Sequence, residues 1–452
     1  MQIGESIALP PVEPPEQEED DGTIHINLRV SLFYDGTKNN RENVQSRQST
    51  SQEKNAAYQA TRSKKFVVFG ELDNGDVSYT NDESNISFLE AYLESKTKGA
   101  DLHLKVYTEG AGTVNLGRDA TTGAGFGAGE TGIPAKVKKG IAEAKGKIRE
   151  PNKEVAPEET VIDTLSIDVF GFSRGAATAR YGIHLLLKNE ETRIKAEAHS
   201  LGYKAISKVE IRLAGLFDTV ASFREGLFIG NETWLLSLDA VQHAKKVLHL
   251  ASADEHRSNF SLTNIASKGG DQYFLPGVHS DIGGGYTDGE AESQVIFKGS
   301  PEDAEIDMKR LIDAGWYVKG QITKKDYYGD SETALVATYS ELSVSRPGLP
   351  TAYSIIPLKI MARFLMSDGV KLNDKYQNKI DKITKTEKLS NLDDRISAEY
   401  TAAKTPDYWI NKNDPWLRAA RNQFFHFSAH YTSVGMGPRF KGGKRTRKIY
   451  DG

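Results

Sequence analysis

A serine between two glycines is the first feature of the sequence that could do chemistry. Residues 171–175 read G-F-S-R-G, with Ser173 at the centre of the pattern G-x-S-x-G. Residues 165–170 before it are typical of a strand, and the small residues from Ala176 onward favour a helix. Flanking glycines remove the Cβ atoms that would collide with that strand and helix, so the hydroxyl can stand clear of the sheet. The pattern therefore predicts that Ser173 is a nucleophile.

Two residues further along the chain could activate this serine. A serine hydroxyl needs a general base, and the base needs a carboxylate that fixes its tautomer. Asp218 closes an apolar, strand-like segment, and His279 lies in a glycine-rich loop. We therefore predict a catalytic triad of Ser173, Asp218 and His279. His430 is the alternative base, and Asp281 is the alternative orienting carboxylate.

Backbone amides near the serine could stabilise the negative charge that develops on a substrate carbonyl oxygen. The Arg174 amide stands at the start of the predicted helix, where the helix dipole favours negative charge. Gly36 and Thr37, which follow the first predicted strand, are the candidates for a second donor. Asp35 is expected to support this loop, and Asp281 to accept hydrogen bonds from the amides of the glycine turn. The alternative for the Asp-Gly pair is an ordinary turn.

The composition excludes other kinds of chemistry. The sequence has no cysteine, which excludes disulfides, thiolate metal sites and a cysteine nucleophile. No histidine pair has the H-E-x-x-H spacing, so we expect no catalytic metal and no cofactor, and a calcium requirement stays open. A net charge of −4 over 452 residues gives no bias toward nucleic acid.

Alternating strands and helices must position the candidate residues. The strand candidates are residues 24–32, 102–107, 165–170 and 209–217, and the helix candidates are residues 133–148, 176–188, 235–250, 301–314 and 355–365. Strands that alternate with helices indicate βαβ units and a mainly parallel sheet. We therefore expect the α/β class: an α/β-hydrolase-like, mainly parallel sheet flanked by helices, with inserted loops or small cap regions.

Composition also divides the chain into segments. These are an acidic, Pro-rich flexible leader at 1–22, a hydrolase core at 23–290 with an insertion at about 41–100, an insertion or cap candidate at 291–345, the rest of the hydrolase domain at 346–432 and a basic tail at 433–452. We expect the basic tail to be solvated, with contact to anionic lipid headgroups as the alternative and nucleic-acid binding third. The first residues show no secretory signal, and no apolar stretch reaches the ~18–20 residues that span a bilayer.

Five ordered motifs extend over about residues 28–370. They are FYDGTKNN at 33–40, GFSRGA at 171–176 with Ala179 and Arg180, FDTV at 217–220, PGVHSDIGGGY at 276–286, and YSIIPL at 353–358 with Met361. Together they resemble the type VI secretion system phospholipase effector family, the Tle lipase effectors with a GFSRGA α/β-hydrolase domain.

This resemblance implies a phospholipase of the A type, a toxin that hydrolyses a carboxylic ester of membrane glycerophospholipids in a rival bacterium. The triad of the family carries over onto Ser173, Asp218 and His279. The implied partners are a phospholipid membrane, a cognate immunity protein and a component of the secretion tip or tube. The implied route is synthesis in the cytoplasm, secretion by the type VI system and action in the periplasm or membrane of the target cell.

The sequence leaves alternatives open. One is an esterase that acts on a soluble or cell-wall ester, and another is a non-catalytic binding module on a hydrolase scaffold. A lipid substrate requires an apolar groove beside Ser173, and the insertions at 287–345 and 41–100 are the candidates for its walls. Membrane contact could come from these loops, from the aromatic clusters late in the chain or from the basic tail.

Overall fold

The structure is a computed structural model, and part of the chain is described. The described residues are 22–51, 55–56, 58–60, 66–68, 71–73, 77–95, 99–120, 129–150, 157–221, 236–265, 269–328, 337–384, 386–433 and 435–452. Apart from its last residue, the acidic leader lies outside the described residues, as does part of the insertion at about 41–100.

Strands and helices alternate through the first two thirds of the chain. The strands are β1 (Ile24–Tyr34), β2 (Phe66–Val68), β3 (Glu71–Asp73), β4 (Leu102–Thr108), β5 (Thr160–Phe172), β6 (Ala205–Phe217), β7 (Lys246–Ser252), β8 (Leu262–Thr263), β9 (Asp271–Leu275), β10 (Glu292–Gly299), β11 (Ile322–Tyr328), β12 (Ala337–Arg346), β13 (Phe440–Lys441), β14 (Lys444–Arg445) and β15 (Ile449–Tyr450). The α-helices are Arg41–Gln48, Val77–Thr80, Asn85–Tyr92, Ile133–Arg149, Arg174–Leu185, Glu191–Ala196, His279–Gly283, Pro301–Asp313, Ile355–Ser367, Asp374–Thr384, Glu387–Glu399, Asp407–Ile410 and Pro415–Gln423.

The central sheet has six strands in the order β4-β1-β5-β6-β7-β9. Every neighbouring pair is parallel. The inner strands are almost continuously buried toward their carboxyl ends, as is typical of parallel sheets that are covered on both faces. In β6, for example, all residues from Leu213 to Phe217 are buried. The expected mainly parallel sheet flanked by helices is confirmed.

Helices cover the two faces of this sheet. Ile133–Arg149 and Arg174–Leu185 pack on one face, and Asn85–Tyr92 and Ile355–Ser367 pack on the other. Each face has its own apolar core. The Ile133–Arg149 helix buries a stripe at helical spacing, with Ile133, Val137, Ile141, Ala144 and Ile148 inward. These layers hold the strand ends rigid, so the loops at the carboxyl edge start from fixed positions.

One predicted element is wrong. Residues 235–250 were expected to form a helix, but residues 246–252 form the fifth strand of the sheet, β7. A short 3₁₀ helix, Leu238–His243, precedes the strand. The apolar positions in this segment fit both periods, and β7 is buried on both faces, so it lacks the alternation that marks a half-buried strand.

The candidate cap at 291–345 contains a three-stranded antiparallel sheet in the order β10-β12-β11. The Pro301–Asp313 helix packs on it, with Ser300 accepting from the Asp303 amide at the N-cap and Pro301 in the first turn.

The basic tail packs against the protein, contrary to the expected solvated tail. β13 and β14 form a hairpin, and β15 pairs in parallel with β8. Arg445 donates to Asp307, and both side chains are at most 6% exposed. In a low-dielectric environment the attraction between the paired charges is stronger than in water, and it offsets part of the cost of burying them. Among the described residues, no helix is long and apolar enough to cross a membrane.

Candidate active site

The candidate residues lie along the carboxyl edge of the parallel sheet. Parallel strands end at the same edge, and open α/β sheets place their sites there. Five strands end at this edge: β1 at Tyr34, β5 at Phe172, β6 at Phe217, β7 at Ser252 and β9 at Leu275. Residues far apart in sequence therefore meet at one edge.

Ser173 occupies a strained turn between β5 and the Arg174–Leu185 helix. Its φ and ψ are 59° and −125°, a conformation that costs a non-glycine residue about 1–3 kcal/mol. Hydrogen bonds on both sides hold it: its amide donates to the Phe217 carbonyl at 3.0 Å, and its carbonyl accepts from the Val220 amide at 3.2 Å. This is the geometry expected of a nucleophile elbow.

Gly171 and Gly175 make the elbow sterically possible. A Cβ on Gly171 would lie 2.2 Å from the Gly175 carbonyl oxygen. A Cβ on Gly175 would lie 2.1 Å and 2.3 Å from the carbonyl oxygens of Tyr34 and Asp35. The glycines therefore let the helix approach both its own strand and the loop after β1.

His279 meets Asp218 across the sheet edge. His279 Nδ1 and Asp218 Oδ2 are 2.6 Å apart, and both side chains are buried. His279 opens the short helix His279–Gly283, where the sequence predicted a loop. Its ring lies between those of Phe172 and Phe260, with centroid distances of 4.6 Å and 5.0 Å. These contacts fix the orientation of the imidazole.

Asp218 is the most densely bonded carboxylate of the site. Besides His279, it accepts from the Ser252 amide at 2.8 Å and from the Ser252 hydroxyl at 3.0 Å. The guanidinium of Arg447 donates to its two oxygens at 2.7 Å and 2.9 Å. Arg447 also donates to the Phe260 carbonyl at 2.7 Å. A residue of the basic tail thus holds the predicted triad carboxylate in place.

These contacts set the charge states of the pair. Burial alone would raise the pKa of Asp218, but the Arg447 charge and the His279 hydrogen bond hold that pKa well below its usual range. Burial lowers the pKa of His279 below its usual value, against the opposing effect of Asp218. At neutral pH the pair is therefore a carboxylate and an uncharged imidazole, the state that a general base requires.

A second buried ion pair supports the His279 backbone. Glu255 is fully buried and accepts from Arg257 Nη2 at 2.8 Å and from the Ser428 hydroxyl at 3.0 Å. The His279 amide donates to Glu255 at 3.3 Å. The Arg257 guanidinium lies 3.3 Å from the centroid of the Phe260 ring. This cluster fixes both the backbone of His279 and the Phe260 ring that packs on it.

Ser173 and His279 share one cavity of about 430 Å³. Its walls also include Thr37, Lys38, Arg174, Phe260 and Met436. The described lining residues include Val77 and Asn81, from the predicted insertion at about 41–100, and none from 287–345. The expected wall from 287–345 is not found among the described residues, and Gly435 and Met436 also line the cavity.

The predicted oxyanion donors differ in whether their backbone amides already have an acceptor. Arg174 is the first residue of its helix, where backbone amides have no partner within the helix. The Gly36 amide donates to Asp35 Oδ1 at 2.7 Å, so it is already engaged. Among the described residues the Thr37 amide has no acceptor, and Thr37 lines the cavity. The loop therefore offers Thr37 as its available donor.

Asp35 and Asp281 both bind structural partners. Asp35 accepts from Ser84 at 2.6 Å and from Tyr107 at 2.7 Å, and burial raises its pKa to about 6. Asp281 accepts from the Val278 amide at 2.9 Å and lies 2.7 Å from His426 Nδ1. Asp281 therefore orients His426 and the start of the glycine turn.

The alternative base lies apart from the triad residues. His430 Nδ1 lies 2.7 Å from the Thr432 hydroxyl, and His430 is not among the residues that line the cavity with Ser173. Among the described residues, no group of three or more His, Asp or Glu side chains could hold a metal ion.

Sequence reasoning missed Ser252, Glu255, Arg257 and Arg447. The first three were missed because β7 was predicted as part of a helix. Residues at the carboxyl end of a parallel strand are candidates for a site, so a correct assignment of residues 246–252 would have indicated them. Arg447 carried no local signal, because it lies 229 positions from its partner Asp218.

Comparison with known proteins confirms the family resemblance. Residues 186–298 match the family described as "T6SS, Phospholipase effector Tle1-like, catalytic domain". This segment contains Asp218 and His279 and begins after Ser173. The match implies hydrolase activity and supports the expected phospholipase effector function. No curated protein matches the chain.

Two solved structures are similar to this chain. One is a Tle1 effector bound to the VgrG spike from the type VI secretion system, with 22% identity over 95% of this chain and 94% of that chain and a TM-score of 0.58. This likeness supports the fold. An uncharacterized protein from Pseudomonas aeruginosa is 18% identical over 59% of this chain and 42% of that chain, and its TM-score of 0.31 is too low to add to the argument.

Proposed function

We propose that this protein is a phospholipase of the A type, which hydrolyses a carboxylic ester of membrane glycerophospholipids through Ser173, His279 and Asp218. One observation carries the proposal: His279, which is hydrogen-bonded to buried Asp218 at 2.6 Å, lines the same cavity as the strained Ser173. Nucleophile, base and carboxylate follow the chain order of α/β-hydrolase triads.

The first half of the reaction forms an acyl-enzyme. His279 Nε2 takes the proton of the Ser173 hydroxyl as its oxygen attacks the ester carbonyl, while Asp218 holds the Nδ1 proton and stabilises the imidazolium. The Arg174 and Thr37 amides donate to the oxyanion. The tetrahedral intermediate then collapses, and His279 returns the proton to the lysophospholipid oxygen as it leaves.

The second half releases the fatty acid. Water attacks the acyl-enzyme, His279 takes a proton from that water, and the proton returns to Ser173 as the ester bond to the enzyme breaks. The Ser173 hydroxyl and the imidazole have no direct hydrogen bond in this structure. Catalytic hydrogen bonds often tighten only when substrate is bound.

Delivery by a type VI secretion system is part of the proposal. The family match and the neighbour that binds a VgrG spike support it. We propose that the chain is carried on a spike or tube component, acts at the membrane of a target cell and is neutralised in the producing cell by an immunity protein. Co-purification of the chain with a VgrG spike protein tests the first of these.

Fatty-acid release from vesicles of phosphatidylethanolamine and phosphatidylglycerol tests the activity. The wild type should release fatty acid, and Ser173→Ala should lower the rate by about 10⁴-fold or more while the fold is unchanged. Ser367→Ala, at the exposed end of a helix, is the matched control and should behave like the wild type.

Other outcomes would favour the alternatives. Cleavage of short soluble esters without fatty-acid release from vesicles would identify an esterase of different specificity. Equal activity of Ser173→Ala and the wild type would exclude Ser173 as the nucleophile.

A further inference from the structure

The charged side chains that line the cavity at Ser173 are all cationic among the described residues. Three cationic side chains line it, those of Lys38, Arg174 and Arg257, and the described lining residues include no Asp or Glu. The chain as a whole has a net charge of −4. A cavity of one sign attracts ligands of the opposite sign and raises their local concentration.

Arg257 is already neutralised. Glu255 accepts from its amide, from Nε at 3.0 Å and from Nη2 at 2.8 Å. Because this pair is buried, the charge of Arg257 is balanced within the protein, and the residue supports His279 and Phe260.

Arg174 has no such partner among the described residues. Its side chain is about nine-tenths buried, and Nε donates to the Thr37 hydroxyl at 2.5 Å. No described carboxylate pairs with it, and burial lowers its pKa to about 10, so it remains a cation at neutral pH. Its terminal nitrogens have no acceptor among the described residues, and they are not among the buried polar atoms sealed from solvent. These N–H groups are therefore available to a ligand in the cavity.

Burying a cation without a counter-ion is unfavourable unless something compensates for it. A planar guanidinium offers paired N–H groups that match two oxygens of a phosphate. Because Arg174 and Ser173 line the same cavity, a phosphate at the guanidinium shares that cavity with the ester that Ser173 attacks. Glycerophospholipids carry the phosphate on one glycerol carbon and the acyl esters on the other two.

Lys38 adds a second charge from the opposite loop. It has a φ of 59°, an unfavourable conformation for a side chain larger than glycine. The Asn81 side-chain amide donates to the Lys38 carbonyl at 3.0 Å, and the Lys38 backbone amide donates to the Ala111 carbonyl at 3.2 Å. The loop thus keeps Lys38 in the cavity wall despite the strain.

We propose that the unpaired guanidinium of Arg174, assisted by Lys38, binds the phosphodiester of the substrate and so selects phospholipids over neutral acylglycerols. The inference rests on the proposed function and adds a specificity-determining residue to it. The chemical class of ligand is a phosphate anion that is part of a lipid headgroup.

The test compares two substrates with the same acyl chains, phosphatidylglycerol and diacylglycerol, in the same mixed micelles. The readout is the ratio of the two kcat/KM values. Arg174→Gln should lower this preference at least ~10-fold. Arg174→Lys keeps the positive charge but lacks the paired N–H groups of the guanidinium, so it should lower the preference less. Lys38→Gln should lower it a few-fold. Arg193→Gln, an exposed arginine on another helix, is the control and should leave the ratio unchanged.

A ratio for Arg174→Gln within two-fold of the wild type would overturn the inference. Wild-type protein that cleaves diacylglycerol and no phospholipid would instead refute the proposed function, so the two failures are distinguishable.

A second measurement needs only the wild type. A non-hydrolysable ether phospholipid should inhibit cleavage of a short neutral ester at least ~10-fold more strongly than the matching ether diglyceride. Equal inhibition by the two ethers would overturn the inference. Inhibition by inorganic phosphate alone at the same concentration would assign the site to free phosphate and overturn the headgroup assignment.

Discussion

Two arginines flank the proposed triad, and they differ in whether a carboxylate pairs with the guanidinium. Arg447 approaches from the Asp218 side and binds both oxygens of that carboxylate. Arg174 approaches from the Ser173 side and has no carboxylate among the described residues. A buried cation with a bidentate partner stabilises the site itself, whereas a buried cation without one is available to a ligand. The two sides of the site therefore differ in role: one positions, and the other binds.

The largest expected effect lies on the positioning side. Asp218→Asn should lower kcat by about 10⁴-fold, because an amide cannot hold His279 in the tautomer that accepts the serine proton. Steady-state kinetics on a soluble ester measures this. A loss below ten-fold would show that another group orients the base, and His279 would then need a different partner.

Loss of the Arg447 side chain should lower the stability of the fold. Arg447→Met leaves the Asp218 carboxylate buried with one fewer counter-charge, so the free energy of unfolding should fall by about 3–5 kcal/mol. Urea denaturation gives the value. Lys448→Met, one residue further and exposed, should change it by no more than ~0.5 kcal/mol. Equal effects of the two variants would mean that the Arg447–Asp218 contact does not contribute to the free energy of unfolding.

The smallest expected effect is a shift in pH dependence. The base must be uncharged, and burial lowers the pKa of His279, so kcat/KM should fall as pH drops through a midpoint below 6.5. In Arg447→Met the charge of Asp218 is less balanced and favours the imidazolium more, so the midpoint should move to higher pH. The profile is measured on a neutral soluble ester, so that only the enzyme titrates. A wild-type midpoint at or above pH 7, or an unmoved midpoint in the variant, would contradict this.

The two sides of the site also differed in how far the sequence predicted them. On the serine side, the conformation of the turn depends on residues that are close in sequence. Five consecutive residues, the preceding strand and the following helix define it through short-range steric contacts. Ser173 and the helix after it were therefore predicted close to their observed bounds. The central strands at 165–170 and 209–217 were found as well, although each extends further than its apolar run suggested.

The positioning side depends on long-range contacts. Asp218 and His279 could be proposed because each follows an apolar segment in the expected order. Arg447 could not, since a short basic segment has the same composition whether it is solvated or buried against carboxylates. Glu255 and Arg257 were missed because β7 is buried on both faces and does not alternate, so its period could not be told from that of a helix.

The central claim is that Ser173 is the nucleophile of an ester hydrolase, and a covalent trap tests it most directly. The wild-type protein is treated with a lipid-like fluorophosphonate, digested and mapped by mass spectrometry. We expect one adduct, on Ser173, with loss of activity in proportion to labelling and no labelling of Ser173→Ala. An adduct on another residue that tracks the loss of activity, or full activity with Ser173 modified, would contradict the claim.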